Sequence, residues 1–311
     1  MRHVRTVVIA TAFALMLAAC GGGDSVAEEL EGLDGAQVTV ASKEFSEQII
    51  LGQMMVQTLE AAGAQVTDQT SLAGTAVLRE AQESGEIDVY WEYTGTAWGD
   101  IFGEEEVIDD PDELHSTVAE RDEENDIIWG ARGDFENSYA IASNQEIADE
   151  YGVSTLSELA ELHASDPEAA TFCVAEEFAT RADGFPGMTG HYGIEDPDIG
   201  EPLDEGIIYN EIADAPGSDC NFGVVFTTDG RIGALDLVVL EDDESFFPEY
   251  NPAITARAEI AEEYPEVVEL GDEIMSRLDT DTMIELNRQA DEEGFPHEEV
   301  ARDWLEDEDL L

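Results

Sequence analysis

The sequence predicts an α/β protein with two domains. Between residues 37 and 91, strand-like runs alternate with helical periodicity in the order β-α-β-α-β, which points to a domain with a parallel core. A length of 311 residues suits two domains. A hydrophobic content of 43%, with 8% aromatics, provides for packed cores.

Gln37 to Ser42 reads as a buried strand. Ser46 opens a helix with apolar positions Ile49, Ile50, Met54 and Leu59 and a stop at Gly63. Ala64 to Thr70 is a second strand, Thr75 to Ser84 a helix stopped by Gly85, and Ile87 to Trp91 a third strand. Further on, Tyr139–Ser143, Thr171–Val174, Phe222–Phe226 and Leu235–Leu240 read as strands, and Ser154–His163 and Gly187–Tyr192 as helices. The last third turns helical over Pro265–Leu278, Asp281–Asp291 and Glu298–Leu305. Pro265 suits a first helical position, where its missing N–H has no partner to lose.

The chain carries 75 acidic and 12 basic residues, a formal net charge of −63. The acids are spread along the whole length rather than gathered in a tail. In dilute buffer such a chain repels itself; at molar salt the Debye length falls to about 3 Å and the repulsion is screened. The composition reads as halophilic. It excludes nucleic acid and anionic membrane surfaces as partners, since both need basic patches.

Arg2, His3 and Arg5 precede an apolar run from Val7 to Leu17, too short to span a bilayer. Leu17-Ala18-Ala19-Cys20 follows, and small residues before a cysteine resemble a bacterial lipoprotein signal. Residues 1–19 are expected to be removed and Cys20 to carry lipid, with 20–36 a Gly- and acid-rich flexible tether. That places the protein on the outer face of the cell membrane, held by acyl chains. In that oxidising compartment Cys173 and Cys220 either form a disulfide or remain as two buried thiols.

No enzyme constellation is visible. The five histidines are scattered without metal-ligand spacing, and neither a Gly-x-Ser-x-Gly elbow nor a phosphate loop occurs. Carboxylate pairs are uninformative in so acidic a chain. No metal, cofactor or catalytic residue is expected. The informative features are the single lysine, Lys43, in Ala41-Ser42-Lys43-Glu44-Phe45-Ser46-Glu47-Gln48, and a strand that ends in Glu92-Tyr93-Thr94-Gly95-Thr96. A strand end bearing Tyr and Thr beside a turn is a good ligand platform.

With Asn137-Ser138-Tyr139, Arg181-Ala182-Asp183-Gly184, Phe226-Thr227-Thr228-Asp229-Gly230-Arg231-Ile232 and Phe247-Pro248-Glu249-Tyr250-Asn251, these form six landmarks in one order. In that order the chain resembles, over nearly all of 37–311, the substrate-binding proteins of ABC importers for glycine betaine and related quaternary ammonium osmoprotectants. The resemblance implies a type II periplasmic-binding fold, two α/β lobes joined by two crossover strands. Lobe 1 would comprise 37–137 plus 248–311, and lobe 2 would comprise 138–247. It implies a small zwitterionic quaternary ammonium ligand, an ABC permease membrane subunit as partner, and a monomer. It also implies an aromatic box of Tyr93, Tyr139, Phe226 and Tyr250 for the ammonium, with Lys43, Thr96 and Arg181 for a carboxylate. Phe226 stands where the family usually has tyrosine. A choline or carnitine receptor is the alternative in the same fold.

Ring types suit such a ligand independently of the resemblance. A trimethylammonium group has no N–H to donate, so aromatic faces recognise it through their quadrupole, at about 0.5–2 kcal/mol each.

Overall fold

A computed structural model describes residues 25–26, 32–104 and 107–311. The expected signal segment (1–19) and Cys20 lie outside the described residues. The molecule consists of two α/β lobes, each built on its own sheet.

The first sheet has five strands in the order β2-β1-β3-β9-β4. These are β1 (Gln37–Ala41), β2 (Gln65–Gln69), β3 (Val89–Tyr93), β4 (Ile127–Trp129) and β9 (Pro252–Arg257). β1 runs parallel to β2 and β3, while β9 is antiparallel to β3 and β4. The second sheet has four strands in the order β6-β7-β5-β8: β5 (Tyr139–Asn144), β6 (Phe172–Cys173), β7 (Phe222–Phe226) and β8 (Leu237–Val239). Here β6 and β7 are parallel, and β5 is antiparallel to β7 and β8. The strands that enter a sheet from the other lobe, β5 and β9, are thus the ones that run against their neighbours.

Two passages join the sheets, residues 130–138 and 240–251. The first pairs with the second and with the start of β9, Asn137 N–H donating to Tyr250 O at 3.0 Å and Gly133 N–H to Pro252 O at 2.8 Å.

Helix Ser46–Ala61 packs beside the C-terminal helices Glu266–Met275, Thr280–Asp291 and His297–Asp307 over one apolar core. Leu51, Leu270, Ile274 and Leu305 are all fully buried there. The chain's last segment therefore completes the lobe that its first segment begins. In the second lobe, Phe172, Phe178, Phe222 and Ile212 form the centre of a separate core. Cys173 and Cys220 are bonded, with Cα atoms 5.6 Å apart, and tie β6 to the chain entering β7. Closing a loop of this length contributes about 3–4 kcal/mol in the chain-entropy picture.

Several expectations need correction. Residues 33–36 are not tether: Leu33 is fully buried in the first core and Ala36 is 1% exposed. Pro265 stands just before its helix rather than inside it, with Glu266 the first helical residue. The third strand starts at Val89, two residues after Ile87, and ends on Tyr93 rather than Trp91. β4 and β9 were not anticipated. β9 begins with proline, a residue that normally argues against a central strand; here Pro252 is the strand's first residue, where no ladder N–H is required.

Candidate functional site

A cleft of about 1050 Å³ opens between the lobes. All seven residues proposed from the sequence line it: Lys43, Tyr93, Thr96, Tyr139, Arg181, Phe226 and Tyr250.

Strand pairing sets the rings. Tyr139 on β5 stands directly across from Phe226 on β7, so both side chains leave the same face of the sheet, with centroids 5.2 Å apart. Tyr93 ends β3 opposite Pro252, which brings it to the passage that carries Tyr250. Thr94 N–H donates to Asn251 O at 3.0 Å and secures that junction. The Tyr250 ring then lies on the backbone of Gly95. A Cβ at that position would stand 2.7 Å from the ring and 2.9 Å from Glu249 O, so the turn requires glycine.

Phe45 joins the row. It stacks on Phe226 at 5.0 Å and on Tyr93 at 6.2 Å, while Tyr139 meets Tyr250 edge-on at 5.7 Å. The result is one continuous wall, Tyr93–Phe45–Phe226–Tyr139–Tyr250, which crosses from one lobe to the other. Burial raises the phenol pKa of Tyr93, Tyr139 and Tyr250, so all three remain neutral at any working pH. Phe45 was missed by sequence reasoning, although it sits inside the first landmark. Its place just before helix Ser46–Ala61 reads as an ordinary helix entry.

The charged end is different. Lys43 Nζ donates to Glu92 Oε1 at 2.6 Å, with Lys43 5% and Glu92 0% exposed. Glu92 also accepts from Tyr90 OH at 3.0 Å and from Tyr93 N–H at 2.8 Å. Arg181 donates to Asp183 through Nε at 2.9 Å and Nη2 at 2.5 Å, and to Glu177 Oε1 at 3.1 Å. Both cations are therefore already paired, and each keeps only part of its donor set for anything in the cleft. Thr96 is buried at the cleft wall in the one-turn helix Thr94–Thr96. The cleft's acids respond to this crowding. Burial raises the Asp100 carboxyl. Burial also pushes Glu205 up to about 7, with Glu177 and Asp204 adding to the rise.

Sequence reasoning also missed Glu47, on the first turn of its helix. Its carboxylate is 2% exposed and accepts from Tyr93 OH at 2.7 Å, Asn137 Nδ2 at 3.0 Å, Thr228 Oγ1 at 2.5 Å and Asn287 Nδ2 at 3.2 Å. Among 75 acids nothing in the sequence marks this one as buried.

The model of the substrate-binding domain of ABC-type glycine betaine transport systems matches residues 36–307. The chain belongs to this family. Its members are solute-binding receptors of importers, not enzymes. A glycine-betaine-binding protein of Pseudomonas aeruginosa is 36% identical over 279 residues, 88% of each chain. The glycine betaine-binding protein YehZ of Escherichia coli (strain K12) is 31% identical over 277 residues, 86% of this chain and 89% of its own. A solved structure described as a glycine betaine/carnitine/choline ABC transporter superposes with a TM-score of 0.69 at 25% identity, over 88% of this chain and 99% of that one. This chain is thus a substrate-binding protein of a betaine/choline/carnitine-type importer. Among the described residues no helix is long and apolar enough to cross a membrane.

Proposed function

We propose that the protein binds glycine betaine or a closely related betaine in the interlobe cleft and delivers it to an ABC permease for osmoprotection. The observation that carries this reading is the five-ring wall. Its π faces belong to both lobes, so a methylated ammonium seated against it contacts both at once. Each desolvated ring contributes about 0.5–2 kcal/mol, several together enough for a useful affinity. The remaining N–H groups of Lys43 and Arg181, with the Thr96 hydroxyl, take the carboxylate. Because both cations are balanced by Glu92, Asp183 and Glu177, they act as hydrogen-bond donors more than as net charge.

That same pairing favours a second reading, choline. A cation without a carboxylate needs no free basic group, and the cleft's acids attract it. Calorimetry at molar salt against glycine betaine, proline betaine, carnitine and choline decides between them. Glycine betaine binding more tightly than choline supports the first reading. The reverse order moves the assignment to choline, and no binding of any quaternary ammonium removes both.

The remaining features of the proposal follow from the sequence. The receptor is a monomer tethered by lipid at Cys20 on the outer face of the membrane, and its acidic surface is adapted to high salt. Thermal unfolding followed against NaCl tests the last point. The midpoint should climb steeply toward molar salt, as screening relieves the repulsion of −63 formal charges. A flat profile would contradict the adaptation.

A further inference from the structure

Glu47 belongs to neither end of the cleft, yet it is buried and takes four hydrogen bonds. Among the described residues its partners are all neutral. They come from four parts of the chain: Tyr93 from β3, Asn137 from a crossover, Asn287 from helix Thr280–Asp291, and Thr228 from the turn after β7. Three belong to the first lobe or the crossover, and Thr228 belongs to the second lobe.

That turn is gripped throughout. Thr228 is fully buried, its hydroxyl on Glu47 and its carbonyl accepting from Asn287 Nδ2 at 3.0 Å. Gly230 lies so close to helix Thr280–Asp291 that a Cβ there would stand 2.7 Å from Arg288 Cβ and 2.9 Å from its Cα. Arg231 reaches Asp291 at 3.5 Å, and Asp291 also accepts from Ser46 Oγ at 2.5 Å. The landmark Phe226-Thr227-Thr228-Asp229-Gly230-Arg231 thus contributes one ring to the wall and then docks on the first lobe.

We infer that Glu47 is a positioning residue that fastens the second lobe to the first and, through the same carboxylate, aims Tyr93 and Phe226 at the ligand. Oε1 holds the Tyr93 hydroxyl, and Oε2 holds Thr228, two residues beyond Phe226. Opening the lobes removes Thr228 and leaves a buried carboxylate short of one strong donor, which biases the molecule toward this joined form. Burial raises the Glu47 pKa, and the four donors work against that rise. The lobe-fastening part stands independently of the ligand; the ring-aiming part rests on the betaine reading above.

The test uses Thr228→Val and Thr228→Ser in the full-length protein at molar salt. Thr228→Val keeps the shape and removes the hydroxyl; Thr228→Ser keeps the hydroxyl. Small-angle X-ray scattering of the ligand-free protein should show a larger radius of gyration for the valine variant and a wild-type value for serine. Glycine betaine dissociation should speed up on the order of tenfold for valine, as expected for a lost hydrogen bond to a carboxylate acceptor, and serine should restore it. If Thr228→Val does not fold, Asn287→Ser, which gives up the amide reaching both Glu47 and Thr228 O, carries the same two expectations. Wild-type scattering for the variant overturns the inference. A widened radius in a protein that binds no quaternary ammonium upholds the fastening role while removing the betaine reading.

Discussion

The two ends of the cleft are built on opposite principles. The aromatic wall is made of neutral rings that line the cleft and are held by packing on one another. The basic end is made of side chains already committed to internal carboxylates: Lys43 to Glu92, Arg181 to Asp183 and Glu177. In a chain with six acids for each base, a buried cation is not left unclaimed. On the proposed reading the wall carries ligand affinity, while the basic end carries both recognition and the stability of the cleft.

The largest expected effect comes from breaking that commitment. Lys43→Ala leaves Glu92 buried without its counter-charge and should cost about 3–5 kcal/mol of stability, measured by denaturant unfolding at fixed high salt. A Lys43→Met, Glu92→Gln double variant should recover much of it. A Lys43→Ala protein as stable as wild type, but with weaker binding, would show that the basic end belongs to the ligand alone. Next in size is the wall. Phe45→Ala and Tyr93→Ala should each weaken binding of the preferred ligand by about 1–2 kcal/mol in calorimetry. Because Phe45 is stacked between Tyr93 and Phe226, its removal should also reduce the effect of a second ring deletion. Strict additivity of Phe45→Ala with Phe226→Ala would argue that the rings act separately.

The smallest effect is a pH dependence. Glu205 lines the cleft and its carboxyl is pushed up to about 7, above its ordinary 4.5, by burial first and by Glu177 and Asp204 next. The folded state thus holds a proton that the unfolded chain releases. Stability falls as pH climbs from 4.5 through 7, and the penalty is absent below that window. The charged form appears only above about pH 7, so affinity for choline should rise from pH 6 to pH 8 and affinity for glycine betaine should change less. Glu205→Gln should flatten the choline profile; a profile unchanged by that substitution would remove Glu205 from the cleft's electrostatics.

Much of the molecule was legible because periodicity and order are local signals. Helix Thr75–Ser84 and β7, Phe222–Phe226, have the boundaries their sequences indicate. β9 was not legible: Pro252-Ala-Ile-Thr-Ala-Arg257 opens on proline, and only its place between β3 and β4 makes it a central strand. In the site, Lys43 stood out as the one lysine, while Tyr93, Thr96, Tyr139, Arg181, Phe226 and Tyr250 were reached through the order of the six landmarks; all seven line one cleft. Glu47, Glu92 and Asp183 are chemically as important and lie inside the landmarks, but as three of 75 acids nothing told their burial apart from that of the surface acids. Sequence can show which groups are rare. It does not show which common groups the fold has buried beside them.

Gly95 has a last consequence. Its missing side chain is the space in which Tyr250 rests. A single methyl at that turn would evict the Tyr250 ring and open one flank of the wall to water, with every aromatic residue still in the sequence. The receptor's sensitivity is thus held in part by an atom that is not there, and a variant blind to its cargo could arise without the loss of any aromatic group.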